Sequence, residues 1–350
     1  MLLRMTTRLL AVAALVLGTG VIGLAAPAFA CACGGVATPG GVGAHVADET
    51  ALIGWDGTQE TIVMRLGLQS GGDKAALIVP TPAPATVSAG SRDTFTELTR
   101  LTAPSIVVDK NWELGGGFGG ADTAGAPGGP TVLGRVDLGP LEATTLTGGD
   151  LSGVRQWLQE NGYVMRPEVI ATLQPYLDDK WAFVAMRLTG DKPLTGELDP
   201  VRLTFAADRP VYPMRMSSAA TQVQTVHLYV LGPHRIERND ADSATQTVAV
   251  SFAGRVSDPT DPELARLSAD GHDYLTEMRV VIPRPERITH DFGFADAPDD
   301  TPYREVVHRT ETVHVLGSDA GVVLAVLALL ILLFVVVLVV VWLIRRARRR

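Results

Sequence analysis

The sequence predicts an α+β fold: strand-rich, mostly antiparallel sheets with a few short helices, plus a signal peptide and one C-terminal transmembrane helix. Three observations carry this. Short runs rich in Val, Ile, Leu and Thr recur between Gly, Pro and Asp clusters, the pattern of strands and their turns. Three segments with helical spacing interrupt them. Both ends carry an apolar run with arginines beside it, and the polypeptide between them is acidic.

At the N-terminus, Arg4 and Arg8 precede an apolar stretch over 9–24, then Pro27 and Ala28-Phe29-Ala30. The basic segment stays inside while the apolar one enters the translocon, and the small-residue pattern sets cleavage between Ala30 and Cys31. Residues 1–30 are thus read as a signal peptide. A retained first span is the alternative, against which Pro27 and the A-x-A pattern argue. Lipidation of Cys31 is another, but Ala28 and Phe29 suit it poorly and a lipid would duplicate an anchor already present.

Strands are expected over 61–68, 75–79, 105–108, 131–136, 182–188, 201–205, 222–231, 247–252, 279–282 and 311–315. Residues 225–230 alternate as a half-buried antiparallel strand does, with Val226, Leu228 and Val230 on one face and Thr225, His227 and Tyr229 on the other. Helices are expected over 92–101, burying Phe95 and Leu98 and stopped by Pro104, and over 151–161, capped by Asp150 and ended by a left-handed Gly162. A third starts at Pro167 and runs to 173, where Pro175 ends or kinks it. The extracytoplasmic domain spans 31–283, and the Gly- and Pro-rich stretch 115–130 is where two lobes would divide. Residues 284–319 form a juxtamembrane segment. A triple echo, Met64-Arg65, Met186-Arg187 and Met278-Arg279, is unevenly spaced and reads as coincidence among strands rather than duplication.

The apolar run over 321–344 contains no charge, and at about 1.5 Å per residue it reaches roughly 36 Å, enough to cross a bilayer. The transmembrane helix is placed at 320–344. The basic tail, 345–350, holds Arg345, Arg346, Arg348, Arg349 and Arg350, which flank the anchor and assign the tail to the cytoplasm and the preceding domain to the outside. Setting aside Arg4, Arg8 and the tail arginines leaves 23 basic residues against 38 acidic ones, a formal charge of −15. That sign excludes nucleic acid as a partner. The lipid bilayer is the expected partner of the C-terminal helix, and an envelope protein or cell-wall component that of the domain.

No reaction is declared. Gly115, Gly117 and Gly120 satisfy G-x-G-x-x-G, but no helix can follow them, so a dinucleotide site is rejected. Cys31 and Cys33 are too few for a closed zinc site, and a small terminal disulfide is the expected state in an oxidising compartment. His272-Asp273 and His290-Asp291 place acid beside base, yet neighbouring strand residues point apart, and both pairs read as solvated. Asp258, Asp261, Glu263, Asp240 and Asp242 read as turn or cap residues rather than calcium ligands. Trp55, Trp112, Trp157 and Trp181 sit in apolar surroundings and read as core. No catalytic, cofactor-binding or metal residue is assigned, and no cofactor is expected.

Four phrases together, Cys31-Ala32-Cys33-Gly34-Gly35, Ala76-Leu77-Ile78-Val79-Pro80-Thr81-Pro82, Trp181-Ala182-Phe183-Val184-Ala185 and Pro210-Val211-Tyr212-Pro213-Met214-Arg215, resemble the bacterial family known as domain of unknown function 2330, in its actinobacterial branch. The resemblance covers 31 to about 317 and implies export, a strand-rich body and a terminal span. It implies no mechanism. The 26 arginines against four lysines also look like a GC-rich actinobacterium. The sequence thus yields three candidate functions: a membrane-displayed binding or envelope-organising module, an exported hydrolase or thiol- or metal-dependent enzyme whose site is assembled from distant residues, and a receptor-like sensor, which the short tail after Ile344 would oblige to signal through a membrane partner.

Overall fold

A computed structural model describes residues 34–111, 142–146, 151–190, 192–312, 314–315 and 318–348. Outside them lie Ala30, Cys31 and Cys33, the glycine run at 115–120, the expected strand 131–136, and Trp112, Asp150, Arg349 and Arg350.

The chain opens with β1 (Gly35–Ala37), the long hairpin of β2 (Ala44–Trp55) and β3 (Gln59–Ser70), then β4 (Lys74–Thr81) and β5 (Thr86–Ala89). In the hairpin turn Asp56 Oδ1 accepts the backbone N–H of Thr58 at 2.9 Å and of Gln59 at 2.7 Å, while Gly57 takes φ +96°. Those two bonds hold the Asp56 carboxyl below its usual range. Next comes α1 (Arg92–Thr102), whose N-cap Ser91 accepts from Asp93 N at 3.1 Å. Its C-terminal carbonyls at Leu101 and Ala103 receive the Arg304 guanidinium at 3.0 and 2.5 Å. After β6 (Ser105–Asn111) and β7 (Glu142–Leu146) come α2 (Leu151–Glu160), α3 (Pro167–Ala171) and α4 (Gln174–Asp178). Gly162 is left-handed, φ +73°, as expected. Pro167 opens α3 and Pro175 sits in the first turn of α4, so the proline that interrupts one helix starts the next.

The remainder is β8 (Ala182–Thr189), β9 (Thr195–Glu197), β10 (Val201–Ala206), β11 (Val211–Tyr212), β12 (Gln224–Gly232), β13 (Ile236–Arg238), β14 (Thr247–Arg255), α5 (Pro262–Leu267), β15 (Tyr274–Ile282), β16 (Phe292–Asp296), β17 (Tyr303–Arg304), β18 (Val306–Thr312), β19 (His314–Val315), β20 (Ser318–Asp319) and α6 (Ala320–Ala347). A nine-stranded sheet runs β17-β14-β15-β12-β2-β3-β10-β5, with β9 joining β3, and a four-stranded sheet runs β1-β4-β8-β7. Pairing is antiparallel except for β12 with β2 and β6 with β18. Strands from both sides of residues 112–141 share each main sheet, since β4 pairs β8 and β3 pairs β10.

Side-chain alternation on these strands builds four layers. Met64, Leu66 and Leu68 of β3, Val226, Leu228 and Val230 of β12, and Met278 and Val280 of β15 face Leu77 and Val79 of β4 and Met186 and Leu188 of β8, forming a core between the sheets. The three Met-Arg pairs therefore each send methionine into this one core. On the far side of the small sheet, Ile78, Phe183 and Ala185 pack against Val154, Leu158, Val169, Leu173 and Tyr176 of α2–α4 and their connections. On the far side of the large sheet, Leu52, Val63, Tyr229, Leu231 and Leu275 are covered by Phe95 and Leu98 of α1 and Leu264 of α5.

Because both faces of each sheet are covered, β4 reads as the near-continuous apolar run Ala75–Val79 rather than an alternation. The same fact corrects the half-buried reading of 225–230. Val226, Leu228 and Val230 do face one core, but Tyr229 is buried in another and His227 is half-buried. The folded body also continues past Pro283: Ile288, Phe292 and Phe294 lie in the central core, and the guanidinium of Arg238 stacks 3.6 Å from the Phe292 ring while bonding both oxygens of Asp240.

Candidate functional site

A cleft of about 750 Å³ opens between α1 and α5 above β10. Its construction begins at two helix starts. Asp261 caps α5 by accepting from Leu264 N at 2.9 Å, Pro262 occupies the first helical position, and the same Oδ1 accepts the buried Thr94 hydroxyl of α1 at 2.9 Å. Glu97, one turn along α1, accepts Thr260 N at 2.8 Å and Asp261 N at 2.5 Å, tying the 260–261 turn to the helix. Burial would raise the Glu97 carboxyl, but those backbone bonds outweigh it and hold it below the usual range. The expectation that Asp258, Asp261 and Glu263 serve a turn or cap is met at Asp261.

Three guanidiniums line the cleft. Arg100 donates to Glu97 at 3.3 Å, Arg266 donates to Glu263 Oε1 at 2.6 Å, and Arg202, rising from β10, donates to Glu263 Oε2. Arg202 and Arg266 thus share one carboxylate. Partial burial, and then the charge of Arg266, lower the proton affinity of Arg202 below the ordinary guanidinium value. The Arg202 Nε is buried and has no hydrogen-bond partner among the described residues. Ten of the eleven lining residues are polar or charged and no aromatic ring borders the cleft, which sets it apart from the pockets lined by hydrophobic and aromatic residues that hold most small organic ligands.

A second polar cluster forms around Glu277, which meets His227 Nε2 at 2.6 Å. Burial alone would raise this carboxyl, yet His227, Ser251 and Thr102 bond to it and keep it low. Among the described residues no three His, Cys, Asp or Glu side chains come together as a metal site.

A third cluster corrects the solvated reading of His290-Asp291. His290 is exposed, but the Asp291 side chain is only 8% exposed and is a hub. Its Oδ1 accepts from Tyr176 Oη at 2.6 Å, Met214 N at 2.7 Å and Arg215 N at 3.0 Å, and its Oδ2 from Arg215 Nε at 2.8 Å. The Arg215 guanidinium stacks 4.1 Å from the Tyr176 ring and 5.5 Å from that of Trp181. Trp157 and Trp181 pack partly buried against the helical layer, and Trp55 donates Nε1–H to Ala207 O at 2.8 Å, consistent with their reading as core.

The described residues of the four phrases singled out in the sequence gather here. Gly35 pairs with Ile78, Ile78 pairs with Ala185, and Trp181 leads into β8 beneath Arg215. A Cβ on Gly34 would lie 2.5 Å from the Ile78 carbonyl oxygen, and one on Gly35 2.7 Å from Met216 Cε. Backbone cannot yield as a flexible side chain can. Gly34→Ala is expected to cost about 1–3 kcal/mol in chemical denaturation, as overpacking does.

A family model described as "Uncharacterized protein conserved in bacteria (DUF2330)" matches residues 27–295, most of the chain and all four layers. The chain belongs to this family. Its matched region reaches into β16 and therefore contains the α1–α5 cleft and the Asp291 hub. No curated protein matches the sequence. Among solved structures, that titled "crystal structure of baculovirus P35" is similar over 73% of this chain and 98% of its own, at 7% identity and a TM-score of 0.37, too slight a likeness to carry an argument about fold or function.

At the other end, α6 is the one helix among the described residues long and apolar enough to cross a membrane. Its side chains from Leu324 to Ile344 are largely uncovered by the rest of the protein, and Arg345 and Arg346 occupy its last turn. Of the cleft, only the Asp261 cap was legible beforehand: Arg100, Arg202 and Arg266 are brought together by topology.

Proposed function

We propose that the protein is a single-pass membrane protein that displays an acidic extracytoplasmic domain as a binding or cell-envelope-organising module. The observation that carries this reading is α6, apolar on every face and covered by none of the layers. An exposed helix of that composition costs about 25 cal/mol for each Å² left in water, a penalty that a bilayer removes. The strands β18 to β20 join it to the body, and the arginines after Ile344 favour a cytoplasmic end. The −15 charge of 31–319 keeps the domain soluble and off anionic headgroups. Residues 1–30 supply export. The partner is an envelope protein or a cell-wall component, and the α1–α5 cleft is where a ligand would sit.

Protease added to intact spheroplasts is expected to degrade the body and spare an epitope placed after Arg350, and sequencing of the purified protein is expected to begin at Cys31. Protection of the body with loss of the epitope would reverse the orientation. Recovery of the full chain in the soluble fraction would overturn the anchor.

A further inference from the structure

We propose that the cleft between α1 and α5 binds an oxyanion, a phosphate or carboxylate group of an envelope constituent, through Arg100, Arg202 and Arg266. This deepens the binding-module reading and rests on it only for where the ligand comes from.

The argument is a balance of donors against acceptors. A guanidinium carries five N–H donors. Within the cleft, Arg100 gives one hydrogen bond to Glu97 and Arg266 one to Glu263; Arg202 gives one to Glu263 and keeps a buried Nε–H with no partner among the described residues. The carboxylates are occupied by contrast. Glu97 uses both oxygens on Thr260 N, Asp261 N and Arg100, and Glu263 uses both on Arg202 and Arg266. Asp261 spends Oδ1 on Thr94 and its own helix cap. The cleft therefore offers donors in excess.

Formal charge does not decide the matter, since Asp93, Glu97, Asp261 and Glu263 more than offset three arginines. What remains is directional: planar donor forks that match two oxygens of one ligand group. A metal cation would have to enter against three guanidiniums and find three of the four carboxylates, those of Glu97, Asp261 and Glu263, already bonded. An oxygen anion between Arg202 and Arg266 would accept from their terminal N–H groups and relieve the repulsion between two cations that share one glutamate. Since the net local charge is not positive, selectivity should follow geometry, with bidentate oxyanions bound and chloride not.

The test uses the full chain in nanodiscs of phosphatidylcholine, titrated calorimetrically with inorganic phosphate and with succinate. Saturable binding of at least one, unaffected by an equal concentration of chloride, is expected. Arg266→Gln and Arg100→Gln, whose side chains are 53% and 66% exposed and thus replaceable without disturbing the core, should each weaken it roughly tenfold. Arg202→Gln should abolish it, with thermal unfolding as the check that the variant is folded. Phosphatidylglycerol introduced into the nanodisc separates the sources: loss of soluble phosphate binding assigns the site to a lipid headgroup, and its retention to a soluble or wall-linked group. Absence of binding by both probes, or full binding by both exposed-arginine variants, overturns the proposal. Either failure leaves the anchored topology standing, because that is read by protease accessibility.

Discussion

Asp291→Ala is expected to destabilise the protein by about 3–5 kcal/mol, lowering the melting temperature by roughly 10 °C. The carboxylate lies almost out of solvent and receives four hydrogen bonds, two from backbone amides, one from the Tyr176 hydroxyl and one from the Arg215 guanidinium. Removing it strands the Met214 amide and leaves a guanidinium, 17% exposed, that among the described residues faces Asp179 at 2.7 Å and two aromatic rings. The penalty is that of a largely buried guanidinium left with one half-exposed carboxylate, added to unsatisfied donors, and it exceeds the net worth of the ion pair itself. Burial, reinforced by the charge of Asp291, pushes the Tyr176 hydroxyl well above its ordinary range, so at neutral pH it is a donor and loses its acceptor in the variant. Asp291→Asn keeps an acceptor for the amides while losing the charge, and should fall between wild type and alanine. Equal melting curves for all three would show that this hub does not hold the turn at Arg215–Ala219 against the helical layer.

That hub also marks where reading along the chain stops. Asp291 reads as solvated from sequence because it lies beside His290 on a strand, where neighbouring side chains point apart, and no catalytic signature accompanies the pair. Its burial is caused by Tyr176 and Arg215, 115 and 76 residues away, which no local pattern registers. Local grammar succeeded where the cause is local: Phe95 and Leu98 on one helical stripe, Gly162 past a helix end, and prolines at helix starts. It failed at β2, whose first half carries His45, Asp48, Glu49 and Thr50 and shows no apolar period. Glu49 is buried there because the Tyr212 hydroxyl, on β11, donates to it. The helix α5 is six residues long, too short for a 3.6-residue period to emerge, so only its cap was visible. Covering helices on the outer face of the large sheet convert Tyr229 from a surface residue to a core one. The arginine cleft combines these limits, since it needs a short helix, a strand and a longer helix whose arginines are far apart in sequence.

Glu60→Gln is expected to stabilise the protein, and the gain should grow with pH. Glu60 is fully buried at the start of β3, and both of its oxygens lie 3.1 Å from the Val211 amide, the one bond among the described residues that opposes the effect of burial. Burial prevails and raises the carboxyl well above its ordinary range. An acid whose folded-state pKa is raised binds more protons folded than unfolded. Its unfavourable contribution is absent at pH values below the unfolded-state pKa, accumulates as pH rises between the unfolded and folded values, and is constant above the folded one. The limiting slope is about 1.4 kcal/mol per pH unit. Glutamine has nearly the same volume, still accepts from Val211 N, and does not ionise, so the variant should match wild type near pH 4 and exceed it progressively on the alkaline side. Urea denaturation of both proteins at a series of pH values measures the difference, and the pH at which it levels off reports the folded-state pKa directly. A difference that stays flat from acid to alkaline pH would mean that Glu60 is ionised within the fold, which requires a cation or further donors at a position where the buried carboxyl has one backbone amide.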